Sequence, residues 1–268
     1  MSQARSFVIE RPLDEGDLFV GRFSELLSAA QQVKRGKTLL FVFGARRSGV
    51  TSFLNHLQTE LVSRVRVLRA ETTGHSADPD AVLALVSAAI EQVKPPAGSN
   101  PDTGTAPGQR EQAVETPQHC VVLLDGLPVT ALFGDKGDQW VSAILSYLKA
   151  RPWLQLVAAV RGCRPRDGGP LSPRAANVPA VELVGLTLEE TEQLLTSGGN
   201  HSLRFEFDAM RRIWQFTSGS PYFVQLFGRV LEESHRGGVR VSAHVVEEAL
   251  PVVLERGGAA LEAMWADC

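Results

Sequence analysis

Residues Gly44–Ser52 have the types and the spacing needed to hold a phosphate group. They read GARRSGVTS, follow the apolar run Lys37–Phe43, which is typical of a strand buried on both faces, and precede a helical pattern. Phosphate-binding loops in this position follow the pattern G-x-x-x-x-G-K-[S/T], which Gly44, Gly49 and Thr51 match. The glycines let the backbone wrap closely around a phosphate, and the first amides of the next helix donate to it. The chemistry indicated is phosphate binding, although a chance strand–turn–helix can carry the same glycines.

The lysine of this pattern is missing, because Val50 occupies its position. That lysine places a positive charge on the β- and γ-phosphates, and a charge-assisted hydrogen bond contributes ~1.5–3 kcal/mol. Its loss is expected to weaken binding roughly 10–100-fold. Arg46 or Arg47 could supply part of the charge, but a guanidinium does not reproduce the geometry of an ammonium.

Asp125 ends a second buried-type strand, Cys120–Asp125, and is a candidate magnesium ligand together with the hydroxyl of Thr51. The alternative is that Asp125 only ends a strand. Many hydrolases place a glutamate next as general base, and here that residue is Gly126. Losing a general base typically costs about 10²–10⁴-fold in rate. A glutamate introduced at position 126 is expected to raise turnover more than affinity.

Strands alternate with helices up to residue 186, which predicts an α/β fold with a parallel sheet flanked by helices. We expect an N-terminal arm over residues 1–17 and a phosphate-loop domain over residues 18–186. Within that domain, residues 95–118 have almost no apolar side chains and are expected to form a flexible surface insert. A small all-helical lid domain is expected over residues 187–268.

Four helical patterns fill residues 187–268 with little strand signal between them. The first begins at Thr187, and Glu190 follows three residues later, which is the pattern of a capping box.

The composition limits the class of protein. Apolar residues make up 44% and charged residues 21% of the 268, which is ordinary globular usage and excludes a disordered or fibrous chain. No apolar run approaches the ~18–20 residues of a membrane-spanning helix. The net charge of −3 does not indicate nucleic acid as a partner, but it does not exclude a local basic patch. The three scattered cysteines favour reduced thiols and a cytoplasmic location.

Three motifs in order carry a resemblance to a known family. Phe19–Arg22 with Glu25 form an F-V-G-R-x-x-E box, GARRSGVTS follows, and Thr217–Tyr222 reads TSGSPY. Over residues 18–235 the chain resembles AAA+/STAND-type P-loop ATPases, especially their archaeal-type and origin-recognition-like relatives. It departs from their pattern in the loop lysine and in the glutamate after the acidic strand.

The resemblance implies that the chain binds ATP or ADP with Mg²⁺. It places the F-V-G-R box near the adenine and Pro221 on the lid side of the pocket. Arg161, at the end of a further strand, either touches a γ-phosphate or is an ordinary exposed arginine. The implied nucleotide-binding residues are Phe19, Val20, Gly21, Arg22, Gly44, Arg46, Arg47, Ser48, Gly49, Val50, Thr51, Ser52, Arg161 and Pro221. The implied metal ligands are Asp125 and Thr51.

Three functions fit these observations. The favoured one is a degenerate nucleotide-binding switch or assembly scaffold with weak or no ATP hydrolysis, because Val50 and Gly126 each remove a different catalytic group. The second is an active ATPase that forms oligomers, and one form of this hypothesis has the oligomer assemble on DNA. The third is an interaction protein that binds no nucleotide. In the first and third, a protein partner or self-association is expected.

Overall fold

The computed structural model describes most of the chain in seven stretches. These are residues 7–14, 17–72, 78–91, 119–165, 169–199, 203–235 and 238–266. The expected insert at residues 95–118 lies outside them, as does part of the expected arm.

The predicted parallel sheet is confirmed, and in the described part of the chain it has five strands. Its strands pair in parallel in the order β2-β3-β4-β1-β5. They are β1 Leu39–Gly44, β2 Arg66–Glu71, β3 Cys120–Pro128, β4 Leu154–Arg161 and β5 Ala180–Glu182. The apolar runs of β1, β3 and β4 are buried on both faces, because helices cover both sides of the sheet.

Helices pack on each face of this sheet. They are α1 Phe23–Lys34, α2 Val50–Val62, α3 Pro79–Glu91, α4 Gly134–Lys149 and the short α5 Pro173–Ala176. One hydrophobic cluster joins α1 and α2 to the sheet through residues such as Leu26 and Leu57. The other joins α3 and α4 to the opposite face through Val86 and Trp140. The sheet is therefore held rigidly, with the ends of its strands free to carry loops.

The C-terminal region has the four helices that the sequence predicts. They are α6 Leu188–Ser197, α7 Phe207–Thr217, α8 Pro221–Ser234 and α9 Ala243–Ala266. The capping box at the start of α6 is confirmed: Thr187 N donates to Glu190 Oε2 (2.8 Å), and Glu190 N donates to Thr187 Oγ1 (3.2 Å). None of the helices in the described stretches is both long and apolar enough to cross a membrane.

This region also contains two short parallel strands beside its helices. They are β6 Leu203–Phe205 and β7 Val239–Val241. Elements of three residues are too short to give a periodic signal, which is why the sequence does not predict them.

Residues 7–14, which we call the strap, connect the two regions. The ring of Phe7 is 2% exposed and lies in the C-terminal hydrophobic cluster. It packs on three glycines, Gly198, Gly199 and Gly228, so closely that a side chain at any of them would overlap the ring. The start of the strap is therefore built into the lid.

The rest of the strap runs from the lid to helix α2. Val8 N donates to Gln225 Oε1 on α8 (3.0 Å). Leu13 N donates to Ser52 Oγ on α2 (2.9 Å), and Asn55 Nδ2 donates to Leu13 O (2.9 Å). The expected N-terminal arm thus includes a segment with fixed partners at both ends.

Candidate functional site

A pocket of about 220 Å³ opens at the carboxyl ends of the central strands. Gly44 and Arg161 end the neighbouring strands β1 and β4, and Asp125 lies near the end of β3. Because the strands are parallel, the loops that follow them meet at one edge, where α/β proteins bind ligands. All three residues line the pocket.

Most of the residues implied by the resemblance meet in this pocket. Those that line it are Phe19, Val20, Arg22, Gly44, Arg47, Gly49, Val50, Thr51, Ser52, Asp125, Arg161 and Pro221. Gly21, Arg46 and Ser48 are not among its lining residues. The sequence did not indicate the strap residues Val8–Leu13, which form a further wall. Their only signal is the apolar triplet Phe7–Ile9 within a polar segment.

The pocket has one apolar wall. It is formed where the strap, the F-V-G-R box and the lid meet, by Ile9, Leu18, Val20, Leu186, Leu194, Pro221 and Tyr222. Val20, Leu186 and Leu194 belong to the buried C-terminal cluster, so this wall is continuous with the lid core. The ring of Phe19 stacks on His56 of α2 with 4.1 Å between ring centroids.

The opposite end of the pocket is the loop between β1 and α2. Gly49 has φ +86°, a left-handed conformation that favours glycine, and Arg47 has φ +60°. Helix α2 begins at Val50 with no side-chain cap and no acidic residue in its first turn. The first amides of a helix have no acceptor within it, so this end of α2 can donate to an anion.

Val50 is buried, and its side chain contacts both the pocket and the hydrophobic core. Its side chain lines the pocket and also belongs to the hydrophobic cluster between α2 and the sheet. It packs so closely on Gly44 that a Cβ at Gly44 would overlap it. A valine methyl therefore occupies space at the base of the loop, where the sequence pattern has a lysine.

The side chain of Arg22 is hydrogen-bonded to the backbone of the loop between β1 and α2. It is 4% exposed, its Nη1 donates to Ser48 O, and its Nη2 donates to Val184 O (2.8 Å). Burial lowers the pKa of Arg22 to about 10, against the opposing effects of Glu25 and Glu190. Arg22 N also donates to Glu190 Oε1 (2.8 Å). The guanidinium that the resemblance places near the adenine thus holds two backbone carbonyls, and its own amide is tied to the lid.

Glu190 is expected to stabilise the junction between the lid and the phosphate loop in a pH-dependent way. Burial raises the pKa of Glu190, but the amides of Thr187 and Arg22 outweigh it and hold that pKa below its ordinary value. A depressed carboxyl pKa contributes stability above the unfolded-state pKa, and that contribution is lost as the pH falls through the folded-state pKa. Glu190→Ala should lower the free energy of unfolding by about 1–2 kcal/mol at neutral pH, as loss of a cap does.

Denaturant titrations at several pH values measure this effect. The difference in the free energy of unfolding between wild type and Glu190→Ala should become smaller at acidic pH. Glu189→Ala, at the exposed neighbouring position of α6, is the matched control and should change stability little. If this difference in unfolding free energy stays constant down to strongly acidic pH, the charge of the Glu190 carboxylate does not contribute to stability.

Asp125 is already paired with a cation. Its carboxylate is buried, and Arg69 Nη2 on the neighbouring strand β2 lies 3.7 Å from Asp125 Oδ2. Thr72 N donates to Asp125 O (2.9 Å), which fixes the backbone at this point. Asp125 therefore does more than end a strand, because its Oδ2 forms an ion pair with Arg69.

Gly126 has no room for a side chain. Its φ is +98°, and a Cβ there would lie 2.7 Å from Thr72 Oγ1 and 3.0 Å from Arg161 Nη2. The register between β3 and β4 shifts between Leu124 and Leu127, so this glycine lies within an irregular turn of the strand. The geometry argues against the expectation that a glutamate at position 126 would act as a general base.

Three solved structures illustrate the architecture that this chain shares. A Walker-type ATPase of Pyrococcus abyssi superimposes with a TM-score of 0.60 at 13% identity, covering 97% of this chain and 78% of that one. A variant of Thermotoga maritima RuvB gives 0.52 at 15% identity, covering 87% and 70%. The Aeropyrum pernix ORC1 protein, in complex with DNA, gives 0.52 at 14% identity, covering 88% and 66%.

The chain has the α/β fold of P-loop ATPases, with a parallel sheet flanked by helices. No protein-family model and no curated protein matches its sequence. Identities this low establish the fold and not the activity. In a P-loop ATPase fold the loop between β1 and the next helix is the place where a phosphate binds, and the pocket described above lies at that loop.

Proposed function

We propose that the chain binds a nucleoside di- or triphosphate in this pocket and acts as a nucleotide-dependent switch or assembly scaffold, with weak or no hydrolysis. The observation that carries the proposal is the division of a single pocket into an apolar wall and a basic end, where the first amides of α2 have no acceptor within the helix. A nucleotide has the same division into a flat apolar base and an anionic tail.

The apolar wall suits a purine ring. In the proposed complex the base lies between the F-V-G-R box and the lid, against Val20, Leu194 and Pro221. Each of these side chains is supported by the C-terminal cluster or by the start of α8, so the wall is preformed. The strap forms the wall's edge through Ile9.

The basic end suits the phosphates. Arg161 lines the pocket, and its side chain makes no hydrogen bond or ion pair with another residue in the described stretches, so the guanidinium is available to an anion. Arg47 also lines the pocket and lies over the ring of Tyr222, 4.9 Å from its centroid. These two arginines and the first amides of α2 replace part of what the absent lysine would contribute.

A switch needs its ligand to contact two bodies, and this pocket provides that. Its lining comes from the sheet edge, from the strap and from the lid helix α8. A nucleotide bound there would favour one position of the lid relative to the sheet, and a protein partner or a second copy would respond to that position.

Weak hydrolysis follows from two absences at the phosphate end. Val50 provides no ammonium, and Gly126 has no space for a general base. We therefore expect saturable binding of both ATP and ADP, with turnover well below the ~1–10³ s⁻¹ of ordinary enzymes. Fluorescent ATP and ADP titrations followed by a phosphate-release assay on the same preparation measure both quantities.

A substitution at Arg161 tests whether the nucleotide binds in this pocket and not elsewhere on the protein. Arg161→Met should weaken nucleotide binding about tenfold, as loss of a charge-assisted hydrogen bond does. Arg211→Met, the same change at an exposed position of α7, should leave the nucleotide affinity unchanged.

Turnover in the ordinary range would favour the active-ATPase alternative. Absence of binding by either nucleotide would favour the interaction protein that needs none.

A further inference from the structure

The donor groups around the phosphate end do not form a magnesium site. Mg²⁺ binds one or two carboxylates together with phosphate oxygens and waters, in a near-ideal octahedron. The two carboxylates that line the pocket are Asp125 and Glu10, and Arg229 Nη2 on α8 lies 3.2 Å from Glu10 Oε1. Thr51 fits a metal site by its hydroxyl, but it has no free carboxylate beside it.

The pairing of Asp125 with Arg69 is fixed by the register of the sheet. In the parallel pair β2–β3, Arg69 lies opposite Leu123, which is two positions before Asp125 and therefore on the same face. The Asp125 side chain is 6% exposed, so the ion pair is shielded from water on the carboxylate side. Glu71, at the end of β2, also acts on Arg69, but it is exposed and does not line the pocket.

Arg161 adds a second cation at the same place. Its guanidinium lies against Gly126, in the space that a side chain at position 126 would fill. Arg69 and Glu71, which lie beside the pocket on β2, cancel each other. The charged side chains that line the pocket are two carboxylates and four arginines, which gives a formal charge of +2: Glu10, Asp125, Arg11, Arg22, Arg47 and Arg161. A positive local charge repels Mg²⁺ and attracts an anion.

We infer that the pocket binds its nucleoside phosphate as the metal-free anion, with arginines in place of Mg²⁺ as the counter-charge. The inference rests on the proposed function and specifies the chemical form of its ligand. Asp125 then serves to hold Arg69 in place and is not a metal ligand. The implied role of Asp125 and Thr51 as a magnesium pair is replaced by this arrangement.

The wild-type protein tests this directly. Fluorescent ATP and fluorescent ADP are titrated in excess magnesium and again in excess EDTA, at constant ionic strength. The Kd in EDTA should be lower than the Kd in magnesium, because the metal-free nucleotide carries more negative charge for the arginines to bind.

Arg69→Met should create a magnesium requirement. Methionine keeps much of the length and apolar character of the arginine stem and removes its charge, so Asp125 becomes an unpaired carboxylate in the pocket that Thr51 also lines. Binding should then become about tenfold tighter in magnesium than in EDTA, since an unpaired carboxylate favours a nearby cation. Arg64→Met, at an exposed position just after α2, is the matched control and should behave as wild type.

The outcomes separate this inference from the proposed function. Wild-type binding that needs magnesium would overturn the inference and leave the proposed function standing. Absence of binding in both buffers would overturn both. Tighter binding in EDTA supports the inference even if Arg69→Met fails to fold, because the wild-type comparison depends on no variant, and equal binding in both buffers would overturn it.

Discussion

Replacing Phe7 by alanine is expected to lower the free energy of unfolding by about 3–5 kcal/mol, the usual cost of emptying a buried phenylalanine site. The ring is 2% exposed and packs directly on the backbones of Gly198, Gly199 and Gly228. Glycines have no side chains that could move into the space, so the cavity should remain open. Denaturant unfolding monitored by tryptophan fluorescence measures the effect.

Phe23→Ala is the control for Phe7→Ala. Phe23 is 75% exposed, so the same chemical change there should cost less than about 0.5 kcal/mol. Equal stability of the two variants would mean that the strap does not hold the lid. A large loss confined to Phe7→Ala would show that the N-terminal segment is part of the fold.

Replacing Val50 by lysine is expected to tighten nucleotide binding roughly 10–100-fold, by restoring a charge-assisted hydrogen bond of ~1.5–3 kcal/mol. Val50 is the first residue of α2 and lines the pocket, so a longer side chain can reach the phosphates while its stem replaces the valine contacts. Placing a charge at this buried position should lower stability at the same time. Turnover should recover much less, because position 126 still has no base.

Val62→Lys is the matched control for Val50→Lys. It is the same substitution at the last residue of the same helix, where valine is 62% exposed. Its Kd should equal that of wild type. A folded Val50→Lys protein with unchanged affinity would show that the loop does not hold phosphates, and the nucleotide-independent function would then be favoured.

The sequence predicts the strands, the helices and the loop at the pocket well, because each is indicated by residues that are close together in the chain. Continuous apolar runs identify β1, β3 and β4, since only strands covered on both faces need them. The pair Thr187 and Glu190 identifies the start of α6 by its spacing alone. The glycines of GARRSGVTS, set between a strand and a helix, identify the loop around which the pocket forms.

What the sequence does not show depends on contacts between distant segments. The ion pair of Arg69 with Asp125 requires the register of β2 against β3, which no motif encodes. The exclusion of side chains at Gly126 requires its positive φ and the position of Arg161. These contacts change the interpretation of the site, since they turn an expected metal ligand into the partner of an arginine.

The strap has a consequence for how this protein is made. Val8 bonds to Gln225, a partner 217 positions later in the chain. At ~5–20 residues per second of synthesis, the first residues wait roughly 10–40 s for that partner to leave the ribosome. The sheet of the first domain can assemble in that interval, while the apolar triplet Phe7–Ile9 remains uncovered. Docking of the strap on the C-terminal helices is then a late step of folding, and a chaperone that binds exposed apolar segments would act in that interval.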